Sequence, residues 1–401
     1  WKGEGNIVSK TDLVIPRTVN LSETKVTTQI DLSKNILSIE DLDLYFSDLT
    51  GALNFSNESG FYAENLKAKL FNREIQGTAR TENFGGSRLV WLNAEGSLRS
   101  DDAYEWTAQP FLYKTSGDLN YDLNLYFPLD DEDGDLKIEF FSDLVGFKSY
   151  LPEPFDKPES ITKKTFSYKK ILKGADVFTD LIFGDYFGAK LKSREGRIFG
   201  GQVVFGDRYQ TLNAHRPLEI KGTLPNLDID SWISTLSDLP KNETPNDFSD
   251  FNVRFGRASI KVENMVAGGI SFKDTQIDVA RNFDSWTSFF KNERLIGQLE
   301  LWDKISKPIT IHLDRLILDS TPSNSEIFNG SDKSSLISEY SFSSDLISIS
   351  GKDFKDVSFE YSASNYESNF SQLSATFGAL TIDNAIVSWN SEEEKQTSFF
   401  K

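Results

Sequence analysis

The sequence predicts an all-β fold: a long antiparallel sheet of repeated β-hairpin units with two or three short helices. Apolar and polar residues alternate with period two along most of the chain, which is typical of strands that bury one face. Apolar stripes with helical spacing are rare. Aromatic residues make up 13% of the 401 residues, and Phe alone contributes 32. Aromatic side chains are enriched in strands, so the composition agrees with the periodicity.

Several hairpins can be placed by this alternation. Apolar residues alternate over 121–127 and again over 136–140, on either side of the turn segment LDDEDGD. Residues 309–313 form another alternating strand. Asn72-Arg73 separates two alternating segments, and Asp383-Asn384 separates two more. Because Asn and Asp tolerate turn conformations, we predict hairpin turns at both pairs.

A short motif occurs three times, beginning at Phe46, Phe272 and Phe354. Each copy reads Phe, then Lys or Ser, then Asp, with apolar residues at offsets of three, five or seven from the Phe. We interpret the motif as a strand entry in which Phe anchors the start and Asp caps or turns the backbone. Repeated units of this kind build a long sheet because each buries its apolar face against its neighbours.

Two segments have helical spacing. LDIDSWISTLSDL predicts a helix near 228–238, with Asp230 as a possible cap. SDLVGFKSYL predicts a second, capped by Ser142 and ended by Pro152 and Pro154. Both are too short to form a domain of their own.

Loop-like stretches at 156–170, 240–250 and 320–335 suggest where the chain divides. We predict a first β-sheet segment over 1–155. A linker, a β segment and the short helix follow over 156–250. A β-sheet segment with the repeated strand units occupies 251–401.

Charge and cysteine content narrow the possible partners. The net charge is −18, which disfavours nucleic acid because phosphates require a basic surface. There is no Cys, so the chain has no disulfide and no thiolate site. No run of eighteen apolar residues occurs, so no membrane-spanning helix is predicted.

Catalytic motifs are missing from the sequence. It contains no nucleotide-binding loop, no nucleophile elbow and no zinc-protease motif. A histidine-based metal site would need both His215 and His312 with carboxylates, so no metal is predicted. LDDEDGD lacks an acid at the first position of a calcium loop, which favours an acidic hairpin turn. The motifs searched for therefore give no positive sign of catalysis or of a metal site.

The remaining chemistry is the apolar face of the sheet. Such a face must be covered by a second sheet, or it must curl around something else, such as a lipid chain. The candidate lipid-binding residues alternate along predicted strands: Val203, Phe205, Leu218, Ile220, Ile277, Val279, Ile309, Ile311, Leu313, Phe359, Tyr361, Leu380 and Ile382. We expect these side chains to share a concave face, except for those buried by ordinary packing.

Six segments, in order, resemble the YhdP branch of the AsmA-like superfamily. They are GALNFSNESGFYAENLKAKLFNREIQGTAR (51–80), YLPEPFDKP (150–158), RPLEIKGTLPNLDIDSWIS (216–234), GISFKDTQIDVARNFDSWTSFF (269–290), KPITIHLDRLIL (307–318) and GALTIDNAIVSWN (378–390). The resemblance implies a curled β-sheet with an apolar groove, in the periplasmic part of an inner-membrane-anchored protein of diderm bacteria. The implied role is a bridge that moves phospholipid toward the outer membrane, without catalysis or cofactor. Membrane contact would then lie in segments outside this chain.

Three other classes of function compete with this interpretation. An outer-membrane β-barrel would need regular strands of about ten residues and aromatic girdles, whereas the predicted strands are uneven. A structural or adhesive β-repeat protein would have the same alternation, but its apolar face would be closed. A carbohydrate-active enzyme would use a pair of the 61 acidic residues, although nothing in the sequence singles out such a pair. An apolar face that is left open would distinguish the lipid-transfer protein from the structural one.

Overall fold

The structure is a computed structural model that describes residues 2–15, 24–84, 87–129, 134–206, 213–239, 255–303, 307–319, 339–363, 367–392 and 395–400. The chain forms two compact units. Unit 1 comprises Trp1–Leu151 and Phe155–Gly196, and unit 2 comprises Pro152–Pro154 and Arg197–Lys401. Both consist mainly of strands, which confirms the predicted all-β class. The division at 1–155, 156–250 and 251–401 stays a prediction.

Unit 1 is a meander of long strands. Consecutive strands pair antiparallel from the first to the eighth. The eighth pairs with the tenth, the tenth with the eleventh, the eleventh with the twelfth, and the short ninth strand pairs with the seventh. The strands are Lys2–Val14 (β1), Lys25–Ile39 (β2), Leu44–Ser56 (β3), Gly60–Leu70 (β4), Arg73–Phe84 (β5), Ser87–Arg99 (β6), Thr115–Pro128 (β7), Leu136–Ser142 (β8), Phe147–Ser149 (β9), Phe166–Lys173 (β10), Asp176–Phe183 (β11) and Phe187–Arg194 (β12). The helix Ser100–Thr107 (α1) joins β6 to β7, and 3₁₀ turns occupy Glu40–Leu42 and Pro110–Lys114.

Unit 2 also consists of strands that pair side by side, and some of these pairs are parallel. Its strands are Arg197–Phe205 (β13), Leu218–Asp228 (β14), Phe255–Ala267 (β15), Ile270–Arg281 (β16), Ser285–Lys291 (β17), Leu295–Trp302 (β18), Ile309–Leu318 (β19), Glu339–Ile349 (β20), Lys352–Ala363 (β21), Glu367–Phe377 (β22), Leu380–Glu392 (β23) and Lys395–Phe400 (β24). The pairs β13–β14, β14–β15 and β19–β20 are parallel, and the other consecutive pairs are antiparallel. The helix Ile229–Ser237 (α2) joins β14 to β15.

The predicted hairpins are mostly present. β7 and β8 pair as expected, while residues 130–133 of the intervening acidic turn lie outside the described residues. The turn between β4 and β5 consists of Phe71 and Asn72, both at positive φ, one residue earlier than predicted. The turn predicted at Asp383-Asn384 is wrong. β23 continues through both residues. Asn384 does take positive φ, but it does so inside the strand.

The helix predicted near 228–238 is confirmed as α2. Its cap is Asp228, whose side chain accepts a hydrogen bond from the Ser231 amide at 2.9 Å. Asp230 has another role: its carboxylate accepts the amides of Gly268 and Gly269 at 2.8 Å each, which fastens α2 to the β15–β16 turn.

The helix predicted over SDLVGFKSYL is wrong. Leu144 and Gly146 take positive φ, which breaks a helical path, and the segment forms a turn followed by β9. The sequence analysis missed α1, although Asp101 and Asp102 in its first turn are favourable to a helix N-terminus. Of the predicted loops, 240–250 and 320–335 lie outside the described residues, and 166–170 belongs to β10.

The repeated motif corresponds to one backbone feature. Phe46, Phe272 and Phe354 are each the third residue of a strand, and the Asp of each copy is the fifth. Asp48, Asp274 and Asp356 have φ values of 53°, 49° and 50°. The pairing register shifts beside Asp48 and Asp356, so each is a left-handed residue inside a β-bulge, which bends the strand and increases its twist. Asp274 is left out of the pairing of β15 with β16, without a shift in register. Asn384 is likewise the fifth residue of β23, with φ 54°.

The bulge explains the odd offsets of the motif. In a regular strand, residues at odd separation point to opposite faces of the sheet. One extra residue at the bulge allows the Phe and the residues at offsets of three, five and seven to face the same side. Phe272 and Ile277, five residues apart, belong to the same buried cluster. The motif therefore combines a bend with a continuous apolar face.

We predict that Asp356→Val lowers the free energy of unfolding by about 1–2 kcal/mol, because a β-branched residue fits the left-handed region poorly. Asp356→Gly should be neutral or stabilising by up to about 1 kcal/mol. Asp356 is preferred to Asp274, which forms an ion pair with Lys261 at 3.0 Å. Urea denaturation measures both effects.

The control is Glu360→Val, an exposed position on the same strand whose φ is not positive. It should leave the urea midpoint nearly unchanged, since Val favours strands. An equal loss of stability from Asp356→Gly and Asp356→Val would contradict the assignment of the motif to backbone conformation.

Candidate functional site

The apolar face of unit 1 surrounds a cavity of about 610 Å³. We call it the unit 1 cavity. Its lining comes from β2 to β8 and the adjoining turns, and most of it is aliphatic or aromatic: Leu32, Leu37, Phe46, Leu49, Leu53, Phe61, Leu66, Lys67, Ala68, Ile75, Gly77, Ala79, Val90, Leu92, Asn93, Ala94, Phe127, Pro128, Leu129, Gly134 and Leu136.

The position of this lining shows that the sheet of unit 1 is curled. β2 and β8 are six strand spacings apart, which would be about 29 Å in a flat sheet at 4.8 Å per step. Leu32 on β2 and Leu136 on β8 nevertheless line the same cavity. The apolar face is therefore concave.

One end of this concave face is closed by packing. Ile39, Leu44, Leu70 and Leu98 are each no more than 3% exposed and belong to the same core cluster as Ala103 of α1. The Trp106 indole donates a hydrogen bond to the Leu42 carbonyl at 3.1 Å, which ties α1 to the 3₁₀ turn after β2. The cavity lies toward the other ends of the same strands.

A buried hydroxyl lies beside the cavity. Tyr121 on β7 is 5% exposed and stacks on Phe140 at 5.1 Å, but its hydroxyl finds no hydrogen-bond partner within the described part of the chain. Burial raises the pKa of Tyr121. Gly96 makes room for the ring, because a Cβ there would lie 2.7 Å from Ile75 Cγ2 and 2.8 Å from the Tyr121 hydroxyl oxygen.

The opposite face of the same strands is polar. The Trp91 indole donates to Asn124 Oδ1 at 2.9 Å, and Asn93 Nδ2 donates to Asp122 Oδ1 at 2.8 Å. The Arg80 guanidinium lies 4.1 Å from the centre of the Trp91 ring. Unit 1 is therefore a two-sided sheet with an apolar concave face and a hydrogen-bonded outer face.

All the predicted lipid-binding residues lie in unit 2, and the register places most of them on one face. Residues directly opposite each other in paired strands share a face. Val203 pairs with Ile220, and Ile220 is joined to Val279 through Ala258. Leu218 lies two residues before Ile220 on β14.

A second row of pairs continues this face through β16 to β19. Phe205 is joined through Gly222 and Ile260 to Ile277, and Ile277 through Phe290 and Gly297 to Leu313. The paired residues of this row and of the row that begins at Val203 therefore form one face from β13 to β19.

The same face extends into β20 and β21. Ile311 pairs with Phe342, which pairs with Phe359. Ile309 pairs with Tyr340, which pairs with Tyr361. The role of these residues in contacting lipid stays a prediction.

Part of this face is a packed core. Ile277 and Leu313 are buried members of a cluster centred on Val262 and Met265. Three other predicted residues, Phe205, Val279 and Ile311, pack against that cluster. Ile229 of α2 also packs against it, so in unit 2, as in unit 1, a short helix closes one end of the apolar face.

Other predicted residues are open to solvent. Leu380 and Ile382 on β23 are 71% and 48% exposed. They pair with Phe377 and Ala375, and Phe377 stacks on Phe354 at 4.9 Å. The described surface of unit 2 therefore includes an apolar region that is left uncovered.

The sequence analysis missed the residues of the unit 1 cavity. The alternation over 121–127 was recognised, and Phe127 does line the cavity. On β3 and β4 the alternation is interrupted by left-handed residues, Asp48 and Asn65. The offset rule of the repeated motif, applied from Phe46, would have identified Leu49 and Leu53.

An all-β chain with a curled sheet and a partly hollow apolar face is a β-groove protein. The chain matches the family described as YhdP protein over residues 1–401, and it belongs to that family. No curated protein and no solved structure matches the chain. Within the described residues, the helices of eight and nine residues are too short to cross a bilayer.

We predict that Tyr121→Phe leaves the free energy of unfolding unchanged or raises it by up to about 1 kcal/mol, since an unpaired buried hydroxyl is unfavourable. The control is Tyr126→Phe, because the Tyr126 hydroxyl donates to Glu139 Oε2 at 3.1 Å. That variant should lose about 0.5–1.5 kcal/mol. A larger loss for Tyr121→Phe than for Tyr126→Phe in urea denaturation would show that the Tyr121 hydroxyl has a partner.

We predict opposite tolerance of charge at two positions in unit 2. Ile311→Asp should destabilise by several kcal/mol, because it places an unpaired carboxylate against a packed cluster. Ile382→Asp should cost no more than about 1 kcal/mol, because the side chain is half exposed. Thermal denaturation of the two variants, compared with Ile311→Val and Ile382→Val, tests this. Similar large losses at both positions would mean that the face is closed throughout.

Proposed function

We propose that the chain is a segment of a periplasmic, bridge-like lipid-transfer protein that shields phospholipid acyl chains between the inner and outer membranes. The observation that carries the proposal is the unit 1 cavity, an apolar hollow on the concave side of a curled sheet. Membership of the YhdP family supports the same function and a place in the cell envelope.

The size of the cavity suits an acyl chain. A cavity of about 150 Å³ holds one benzene molecule, so 610 Å³ has room for on the order of twenty apolar carbon atoms. That is one acyl chain of ordinary length, rather than both chains of a phospholipid. The second chain would lie along the apolar face beyond the cavity.

The transfer free energies favour the passage of an acyl chain along this surface over its tight binding there. Transferring an acyl chain from water into the cavity gains about 0.8 kcal/mol for each buried methylene. Transfer from a bilayer gains almost nothing, because the membrane interior is equally apolar. Such a surface need only keep the chain dry along its path, which requires no catalysis and no cofactor.

The test is photocrosslinking from inside the cavity. A photoreactive residue at Leu92, which lines the cavity, should form an adduct with phospholipid in cells of a diderm bacterium. The same residue at Glu95, exposed on the opposite face of β6, should not. Mass spectrometry of the adduct identifies the lipid class.

A charge in the path should abolish the adduct while the fold is retained. Leu53→Asp puts a carboxylate on the cavity lining, and Asn54→Asp puts one on the opposite face of the same strand. We expect loss of the Leu92 adduct only in Leu53→Asp, with nearly equal Tm values in both variants. Unfolding of Leu53→Asp, or equal adducts at Leu92 and Glu95, would favour the structural β-repeat protein with a closed core.

A further inference from the structure

A cluster of potential metal ligands lies where the pairing of β19 and β20 is interrupted. His312 and Asp314 are on β19, and Asp345 is on β20. One ligand atom from each of these three residues lies within 4.8 Å of the other two. No part of the proposed lipid path uses these side chains, because His312 lies between Ile311 and Leu313 and points to the opposite face.

The parallel register places the two carboxylates opposite each other. Leu313 pairs with Ser344, and the next pair is Leu316 with Ile347. The offset between the strands is the same in both pairs, so Asp314 lies opposite Asp345. Residues opposite each other on neighbouring strands face the same side of the sheet. Two adjacent carboxylates repel each other unless a cation lies between them.

The imidazole is oriented toward this pair. His312 Nδ1 is 2.9 Å from Ser343 Oγ, and Nε2 is 3.4 Å from Asp314 Oδ1. If Nδ1 donates its proton to Ser343, Nε2 presents its lone pair to the cluster. Two ligands of one tetrahedral zinc ion are also about 3.4 Å apart, given bonds of about 2.1 Å.

The guanidinium of Arg315, the residue after Asp314, is directed away from the cluster. Its Nη2 donates to the Glu293 carbonyl at 2.9 Å. Among the described residues, the only ion pair found for Asp314 is with His312, and none was found for Asp345. Other carboxylates on the sheet do face a Lys or Arg, as Asp176 does with Lys192 at 2.6 Å.

We propose that His312, Asp314 and Asp345 bind a divalent transition-metal ion, with zinc favoured. One imidazole and two carboxylates suit zinc, and water completes the coordination of a site with three protein ligands. The sequence analysis argued against zinc because it required both histidines. The structure instead combines a single histidine with two aspartates from two strands.

The bound ion would crosslink β19 and β20. β19 and β20 are parallel neighbours, and their connection, residues 320–338, lies outside the described residues. A ligand set drawn from both strands makes their pairing depend on the ion. Zinc should therefore raise the Tm of the protein.

The chain is well suited to a direct test because it contains two histidines and no cysteine. Zinc chloride is titrated into the purified protein, and NMR follows the imidazole signals of His312 and His215. We expect the His312 signals to shift and saturate at one equivalent, and the His215 signals to stay unchanged. Calorimetry of the same titration measures the affinity.

Three variants complete the experiment. His312→Ala and Asp345→Asn should weaken zinc binding at least tenfold and remove the increase in Tm, whereas His215→Ala should change neither. Asp345→Asn changes an exposed side chain to one of the same shape, so it keeps the test decisive if His312→Ala unfolds. Equal affinity in all variants, equal shifts at both histidines, or no binding at millimolar zinc would overturn the proposal.

Discussion

A left-handed residue near the start of several strands determines the form of the sheet. Asp48, Asp274, Asp356 and Asn384 each occupy the fifth position of a strand and take φ near 50°. Asp and Asn adopt this conformation more readily than other residues that carry a Cβ. At Asp48, Asp356 and Asn384 the register shifts, and the extra residue of the bulge lets apolar residues before and after it face the same side.

The curl that results leaves a hollow, and packing fills only part of it. In unit 1 the sheet curves so far that β2 and β8 line one cavity, while α1 closes the opposite end. In unit 2 the buried cluster beside α2 covers the middle of the face, and β23 carries exposed apolar side chains. A packed end holds the curvature of the sheet, so the rest of the face can stay open without collapsing.

Much of this arrangement could be predicted from the sequence. Period-two alternation identified β7, β8 and β19, and the apolar stripe of Trp232 and its neighbours identified α2. The odd offsets in the repeated motif also indicated the bulge. The sequence analysis did not recognise that side chains at an odd separation share a face only where the strand contains an extra residue. Asp383-Asn384 shows why: Asn at positive φ fits a hairpin turn and a bulge equally well. The two differ only in whether the partner strand continues alongside.

The cavity and the metal cluster were harder to predict, for the same physical reason. Each depends on residues brought together by the pairing of strands. The cavity combines residues from seven strands. His312 and Asp345 are thirty-three positions apart, and only the parallel pairing of β19 with β20 places them in contact distance of a common ion. Composition and local spacing do not contain that information.

Pairing between strands that are consecutive in sequence has a consequence for how the chain acquires its structure. In unit 1 most of the paired strands are joined by short connections, so their contacts close short loops and lose little chain entropy. Low contact order favours fast folding, and strands can be added one by one along the chain. In unit 2 the parallel pairs β14–β15 and β19–β20 have long connections, so their contacts close larger loops. Assembly should therefore pause before each of these pairs forms, with the strands already paired in place as a template.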